Sequence, residues 1–351
     1  MSQPFSSARL RGEVKSVIAR WALRRRSEAA LPSEDEATHP WNGRRRFEED
    51  YTFACVQPEL GLVVRLARLP GRAVQRVWIW VLRPGDVVGL EAIAPAHEGE
   101  PWRGGGLEID CLTPFRAWSV RYAGTLTRYA PTRDNGGRSV AAELQFTAER
   151  PPFCPGTDDD PSLLARRLSE ATWDRALLRG VRRAQTRGYV QTGRMEGTLR
   201  LGDTLVPVRG ACWRQHRWGV LDWGGSDAAF QCFVAHASGA VTWVHHAAFP
   251  FVTLEGGFHA PNLASMRSPP EPVHRPLVAI ARSGARHLSL GYGAPMRDAI
   301  ELELASRASA EFVVDGRGAL AVHLVEGSDA WGIWADQRRV LARPERSGEA
   351  R

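Results

Sequence analysis

The chemistry of this chain is concentrated in Arg209–Gly225, Arg-Gly-Ala-Cys-Trp-Arg-Gln-His-Arg-Trp-Gly-Val-Leu-Asp-Trp-Gly-Gly. It brings together three indoles (Trp213, Trp218, Trp223), the His216 imidazole, the guanidiniums of Arg214 and Arg217, the Gln215 amide and the Asp222 carboxylate. Buried, each of these polar groups needs a partner; exposed, three large rings would sit in water. One resolution is a wall of an enclosed cavity, with rings toward a ligand and polar groups paired among themselves. The other is a Trp-rich core strand whose His and Arg tips reach solvent or backbone.

His216 and Asp222 have the residue types of an acid–base pair, a carboxylate orienting an imidazole. On one uninterrupted strand they would share a face but stand about 20 Å apart, so pairing them requires a turn at Gly219. His245 and His246 face opposite sides of any strand, which leaves at most one for a cavity. With His236 and His259 nearby, a metal site would need HxH or HExxH spacing, and neither is present. The histidines therefore read as ordinary core or surface residues, and no metal is expected. There is no Gly-x-Ser-x-Gly elbow. Arg103-Gly-Gly-Gly-Leu lacks the following Lys-Ser/Thr of a phosphate loop. Dehydrogenase, kinase and serine-hydrolase readings thus lose their defining elements, and no cofactor is expected.

The elements that would hold these groups are mostly strands. From Phe47 the pattern has period two: Glu49–Cys55, Leu60–Leu69, Gln75–Leu82, Leu107–Asp110, Ala117–Tyr122 and Val140–Ala148 carry β-branched and aromatic residues between Gly, Pro, Asp or Asn turns. A second run begins at Tyr189–Gly193, Gly197–Arg200 and Thr204–Val208. It continues through Ala229–His236, Val241–Phe249, Leu277–Arg282, His287–Tyr292, Ala299–Ala305, Phe312–Val314, Ala319–Val325 and Gly332–Ala335. Strands so short and regular indicate antiparallel sandwiches or barrels rather than a βαβ layout, and the similar halves suggest two copies of one barrel type. Two helices are expected. Residues 7–27 place Leu10, Val14, Val17, Ile18 and Trp21 on one face and arginines on the other; Pro161–Arg183 is anchored by Leu164, Leu168 and Leu177. The first could lie on anionic lipid or pack on the body. The division expected is 1–46 helix and polar linker, 47–185 and 186–340 two β domains, and 341–351 a polar tail.

Composition bounds the function. The 351 residues, 43% hydrophobic and 24% charged, suit a soluble globular protein of two domains. The net charge is +7, but residues 1–30 hold Arg9, Arg11, Lys15, Arg20, Arg24, Arg25 and Arg26 against Glu13 and Glu28, a net +5. The +2 left for the body gives no nucleic-acid footprint. No apolar run reaches the roughly 18 residues of a membrane span, and no secretory h-region is visible. The five cysteines are odd in number and contain no CxxC, which fits a reducing cytoplasm and small core residues. Of the 13 tryptophans, Trp78 and Trp80 share one strand face, as do Trp118 and Tyr122. They serve a core or an aromatic pocket equally.

Gly188-Tyr-Val-Gln-Thr-Gly-Arg-Met-Glu-Gly-Thr-Leu-Arg-Leu-Gly-Asp, followed by Val208–Trp223, resembles the "hydrophobic-Glu-Gln … Gly … Gly-x-x-Arg-Asp-His-Ser-Trp-Gly-x-Arg-Asp-Trp" pattern of the superfamily containing AttH-like proteins, carotenoid 1,2-hydratases and tocopherol cyclases. Phe47–Phe53 and Pro114–Gly124 resemble its first-domain strands. The resemblance implies tandem lipocalin-like β-barrels with an apolar cavity, acting on polyene, isoprenoid or polyketide substrates without a redox cofactor. His216, Trp218, Gly219, Asp222 and Trp223 match the motif; Gln215 replaces its first Asp, Arg217 its Ser and Leu221 its second Arg.

The expectation is therefore an all-β protein that cyclises, hydrates or isomerises a hydrophobic substrate in a Trp-lined cavity by acid–base catalysis, with Asp222 as acid and His216 setting its state. Gln191, Trp213, Arg214, Gln215, Trp218, Trp223, Trp243 and His245 would line the substrate, and the indoles would stabilise developing cationic charge. The alternative is a non-catalytic lipocalin-like binder of a hydrophobic small molecule, favoured by Gln215. The protein is expected in the cytoplasm, with residues 7–27 as its membrane contact if it has one.

Overall fold

The computed structural model describes Lys15 and residues 31–96, 99, 102–128, 136–154, 187–221, 228–238, 241–246, 251–254, 257–259, 278–280, 285–292, 298–314 and 318–339. Ten strands form the first sheet: β1 (Phe47–Gln57), β2 (Leu60–Leu69), β3 (Val74–Arg83), β4 (Asp86–Pro95), β5 (Arg103–Gly104), β6 (Leu107–Thr113), β7 (Ala117–Arg128), β8 (Gly137–Ala148), β9 (Arg187–Leu201) and β10 (Thr204–Val220). Their order is β4-β3-β2-β1-β10-β9-β8-β7-β6-β5. β4 also pairs with the far end of β7 through Val88 and Arg128, so eight strands close on themselves and β5–β6 stands beside the closure. Eight strands give a barrel just wide enough for side chains to fill.

The residues dictate this. Along β1, Tyr51, Phe53 and Cys55 point inward while Ala54 and Val56 point outward, and both sets are buried. Two-residue links join the first hairpins, with Glu59 and Gly85 at positive φ, as tight antiparallel turns require. The inward set packs against Leu62, Val64, Val77, Ile79, Trp118, Val120, Leu144 and Phe146. The outward set, with Trp78, Trp80 and Trp213, packs against Phe233, Val322, Leu324 and Ile333 of the second sheet. Each large side chain so buried contributes about 1.5–3 kcal/mol.

The second sheet contains β11 (Ala228–His236), β12 (Val241–His246), β13 (Phe251–Leu254), β14 (Gly257–His259), β15 (Val278–Ile280), β16 (Ala285–Tyr292), β17 (Asp298–Val314), β18 (Gly318–Gly327) and β19 (Ala330–Arg339). Its order is β14-β13-β12-β11-β19-β18-β17-β16-β15, antiparallel throughout. The all-β architecture expected from the strand pattern, and the lipocalin-like barrel that the resemblance implies, are thus present. Both expected helices lie outside the described residues, apart from Lys15, which is helical. Among the described residues no helix is long and apolar enough to cross a membrane.

Two differences from the sequence reading have physical reasons. The short strands expected over 189–208 are two long ones, because Gly193 and Gly197 are not strand ends. A Cβ on either would stand 2.1 Å from Thr147 O or 2.0 Å from Glu143 O, so these glycines let β9 approach β8 closely. The division expected at 185/186 falls between β8 and β9, yet β9 pairs with β8 and β10 pairs with β1. The ladder therefore carries Arg187–Val220 into the first barrel. β10 stays paired through Gly219 and Val220, so the turn at Gly219 that a His216–Asp222 pair would require is absent from the strand.

Candidate functional site

β10 lies between β1 and β9, with Tyr51 and Tyr189 both level with His216, and Phe53 and Gln191 both level with Arg214. The period of two sends Arg214, His216 and Trp218 to the barrel interior and Trp213 to the outer face against the second sheet. Close approach at this level depends on Gly188, whose φ is +152 and where a Cβ would meet His216 O at 2.4 Å.

A chain of hydrogen bonds runs through His216. Its Nε2 lies 3.1 Å from Glu49 Oε1 and its Nδ1 3.2 Å from the Tyr189 hydroxyl. Glu49 also accepts from the His39 backbone N–H (3.0 Å), His39 Nδ1 (2.9 Å) and Arg68 (2.5 Å). Burial opposes its charge, but the His216 and His39 hydrogen bonds and the nearby cations prevail and hold its carboxyl down at about 2. Burial also lowers His216, only partly offset by Glu49, so the imidazole is neutral near pH 7. Because ionised Glu49 can only accept, Nε2 must carry the proton and Nδ1 must accept from the Tyr189 O–H; the tautomer follows from the network. Tyr51 stacks on His216 at 4.0 Å, and Trp218 stacks on His39 at 3.8 Å. His216, Glu49 and Tyr189 are all buried.

One level deeper, Arg214 meets Glu36, which comes from a 3-10 turn, Ser33–Glu36, ahead of the barrel. Nη1 and Nη2 donate to its two oxygens at 3.0 and 2.7 Å, and Nη2 also donates to Gln191 Oε1 at 2.8 Å. Gln191 donates in turn to the carbonyls of Phe115 and Arg150. Residues 31–46 thus lie over the barrel end and insert Glu36 and His39 into it. On the opposite face of β1, Asp50 accepts from Arg65 and Arg217, while Glu48 pairs with Arg65 and Arg76.

Of the residues singled out in the sequence, His216, Gln191, Arg214 and Trp218 come together in the barrel interior. Gln215 is half-buried on the outward side of β10. Trp243 and His245 lie on β12 of the second sheet, level with Phe233 and Gln231, and their side chains are outside the described residues. Asp222 and Trp223 are also outside the described residues. At this end of the barrel the rings of Tyr51, His216, Trp218 and His39 pack against one another. A cavity of about 300 Å³ opens beside them, lined by Thr38, Arg68, Leu69, Val74 and Gln75 among others, with no tryptophan among the described residues that line it.

Sequence reasoning missed Glu49, Tyr189, His39 and Glu36. The available signal was Glu48-Glu49-Asp50, three acids in succession on an otherwise apolar strand, which must find cations if the strand is buried. His39, Glu49 and His216 also bring ligand atoms within 4.8 Å of one another, a set that could hold a metal ion. Hydrogen bonds already engage those atoms, and Arg68 places positive charge beside Glu49.

Residues 32–250 match a family described as "Domain of unknown function (DUF7064)". No curated protein matches the chain. Solved structures similar to it include CghA with Sch210972 (14% identity, TM-score 0.48, covering 88% of this chain and 93% of that one). Another is a protein assigned as AttH, NE1406 from Nitrosomonas europaea (13%, 0.46, 88% and 97%). A third is kievitone hydratase from Nectria haematococca (10%, 0.46, 91% and 95%).

Proposed function

For a chain that belongs to the DUF7064 family, we propose a proton-transfer enzyme that cyclises, hydrates or isomerises a hydrophobic isoprenoid, polyene or polyketide substrate. The observation that carries this reading is the buried Glu49–His216–Tyr189 chain. When the Tyr189 oxygen takes a proton from substrate, its own proton passes to His216 Nδ1. The imidazolium so formed is held by the Glu49 carboxylate and lies against the Tyr51 ring face. The reverse transfers return a proton to a different atom of the substrate, which is the balance an isomerisation or cyclisation needs. Asp222, two positions beyond β10, is the second candidate acid. Burial of the relay strengthens each electrostatic contact in it.

The test is incubation of purified protein with polyene, isoprenoid and polyketide panels, with products read by mass spectrometry. Conversion by wild type and none by His216→Gln supports the relay. Full turnover by His216→Gln refutes it. A second reading, a binding protein without turnover, is favoured by the near-complete enclosure of Tyr189, 1% exposed beneath residues 31–46. Tryptophan quenching without any product would select it.

A further inference from the structure

We propose that Arg214, with the Phe115 backbone N–H, is a receptor for the carboxylate of an apolar ligand, and that Glu36 fills it as an internal stand-in. Glu36 Oε1 accepts from Arg214 Nη2 at 2.7 Å and from Phe115 N–H at 3.0 Å, and Oε2 accepts from Arg214 Nη1 at 3.0 Å; the Tyr51 hydroxyl donates to the Glu36 backbone carbonyl at 2.7 Å. Both donor residues belong to the barrel (Arg214 on β10 and Phe115 in the β6–β7 turn), whereas the acceptor arrives on a four-residue turn from outside the sheet. The forked guanidinium geometry selects a carboxylate.

Three features go beyond what a structural ion pair requires. Phe115 presents its N–H from a backbone at φ +55, a conformation costly for a bulky non-glycine residue and one that clusters at ligand clamps. Arg214 Nε and Trp118 Nε1 are buried donors with no acceptor among the described residues, and they sit together, the guanidinium 4.9 Å from the Trp118 ring. A two-oxygen side chain reaching in from the barrel mouth leaves both unsatisfied, whereas a ligand with further oxygens near its acid group could satisfy them. Finally, the guanidinium is surrounded by the rings of Trp118, Phe146 and Tyr189, which is apolar lining around one anion-binding point. The receptor lies one level below His216, so an acid group held there would place the adjoining carbons beside Tyr189 and the relay.

This rests on reading the barrel as a ligand site, but its test is a binding measurement and leaves turnover aside. cis-Parinaric acid, a fluorescent polyene carboxylate, and its methyl ester are titrated into full-length wild type, Glu36→Gln and the Glu36→Gln/Arg214→Met double variant. Removing the competitor raises the fraction of open receptor, and the acid should bind Glu36→Gln at least about tenfold more tightly than wild type. The ester should gain nothing, and the double variant should lose the gain. In wild type, which needs no substitution to fold, saturating acid should speed hydrogen exchange across residues 33–46, and the ester should not. Equal affinities for wild type and Glu36→Gln, an equal gain for the ester, or unchanged exchange with acid present would each overturn the proposal. Failure of this acid–ester contrast leaves the relay standing, and binding without conversion defeats the relay alone.

Discussion

Replacing Glu49 by Gln removes one buried negative charge that five donor groups surround: His39 N, His39 Nδ1, His216 Nε2, Arg68 Nε and Arg68 Nη2. Burial by itself would raise this carboxyl. The donors reverse that and hold it at about 2 against its ordinary 4.5. At about 1.4 kcal/mol per pH unit, the ionised carboxylate contributes about 3 kcal/mol to the folded state. The folded value lies below the unfolded one, so this contribution is fully present above the unfolded value and is lost as pH falls from 4.5 toward about 2. Glu49→Gln should therefore be less stable than wild type by about 3 kcal/mol at about pH 7, with the gap shrinking through about pH 4 and closing near the folded value. Asp50, held at about 2 by Arg217 and Arg65 against the opposing effect of burial, is present in both proteins and cancels. Urea unfolding followed by tryptophan fluorescence at a series of pH values measures the gap. A gap that stays constant with pH, or widens in acid, would refute the assignment of a charged, multiply bonded Glu49.

Three further outcomes follow from the same contacts. Arg214→Met leaves Glu36 buried without its counter-charge and should cost about 3–5 kcal/mol in urea unfolding; adding Glu36→Gln should recover part of that loss, and strict additivity would argue against direct coupling. Gly188→Ala puts a Cβ 2.4 Å from His216 O at a φ of +152, so it should cost about 1–3 kcal/mol and displace Tyr189; an unchanged melting temperature would contradict the geometry. Cys55 is buried, and burial pushes its thiol up to about 12. It should resist alkylation in the folded protein at mildly alkaline pH and react once the chain is unfolded in urea, as peptide mass mapping would show.

The strands were legible because a two-residue period leaves a visible trace wherever one side of a strand is wet or the residues are β-branched. That Arg209–Val220 is a strand rich in buried chemistry was legible from its residue types, but those types leave open whether it walls a cavity or packs as core; the strand sends Trp213 outward and Arg214, His216 and Trp218 inward. The carboxylates serving them were harder to see. Glu49 stands 167 residues from His216, and Glu36 stands 178 from Arg214 within what reads as a polar linker. Pairings of that span depend on register, and register is set by which strands neighbour one another, not by local pattern. Gly193 and Gly197 were misread for the same reason: a glycine ending a strand and a glycine admitting a neighbour's carbonyl are identical letters.

The β1–β10 ladder also dictates how this chain must be made. β1 is synthesised well before β10, with which it pairs as far as Val220, so the barrel cannot close until the chain has been made through Val220. Until then β1 and β8 present unpaired edges, the kind of surface that recruits other chains. An expression fragment ending near residue 185 would keep those edges permanently and should aggregate, whereas one carried past Val220 would have both partners. The long-range closure also predicts slow, chaperone-sensitive folding compared with a barrel built from consecutive hairpins.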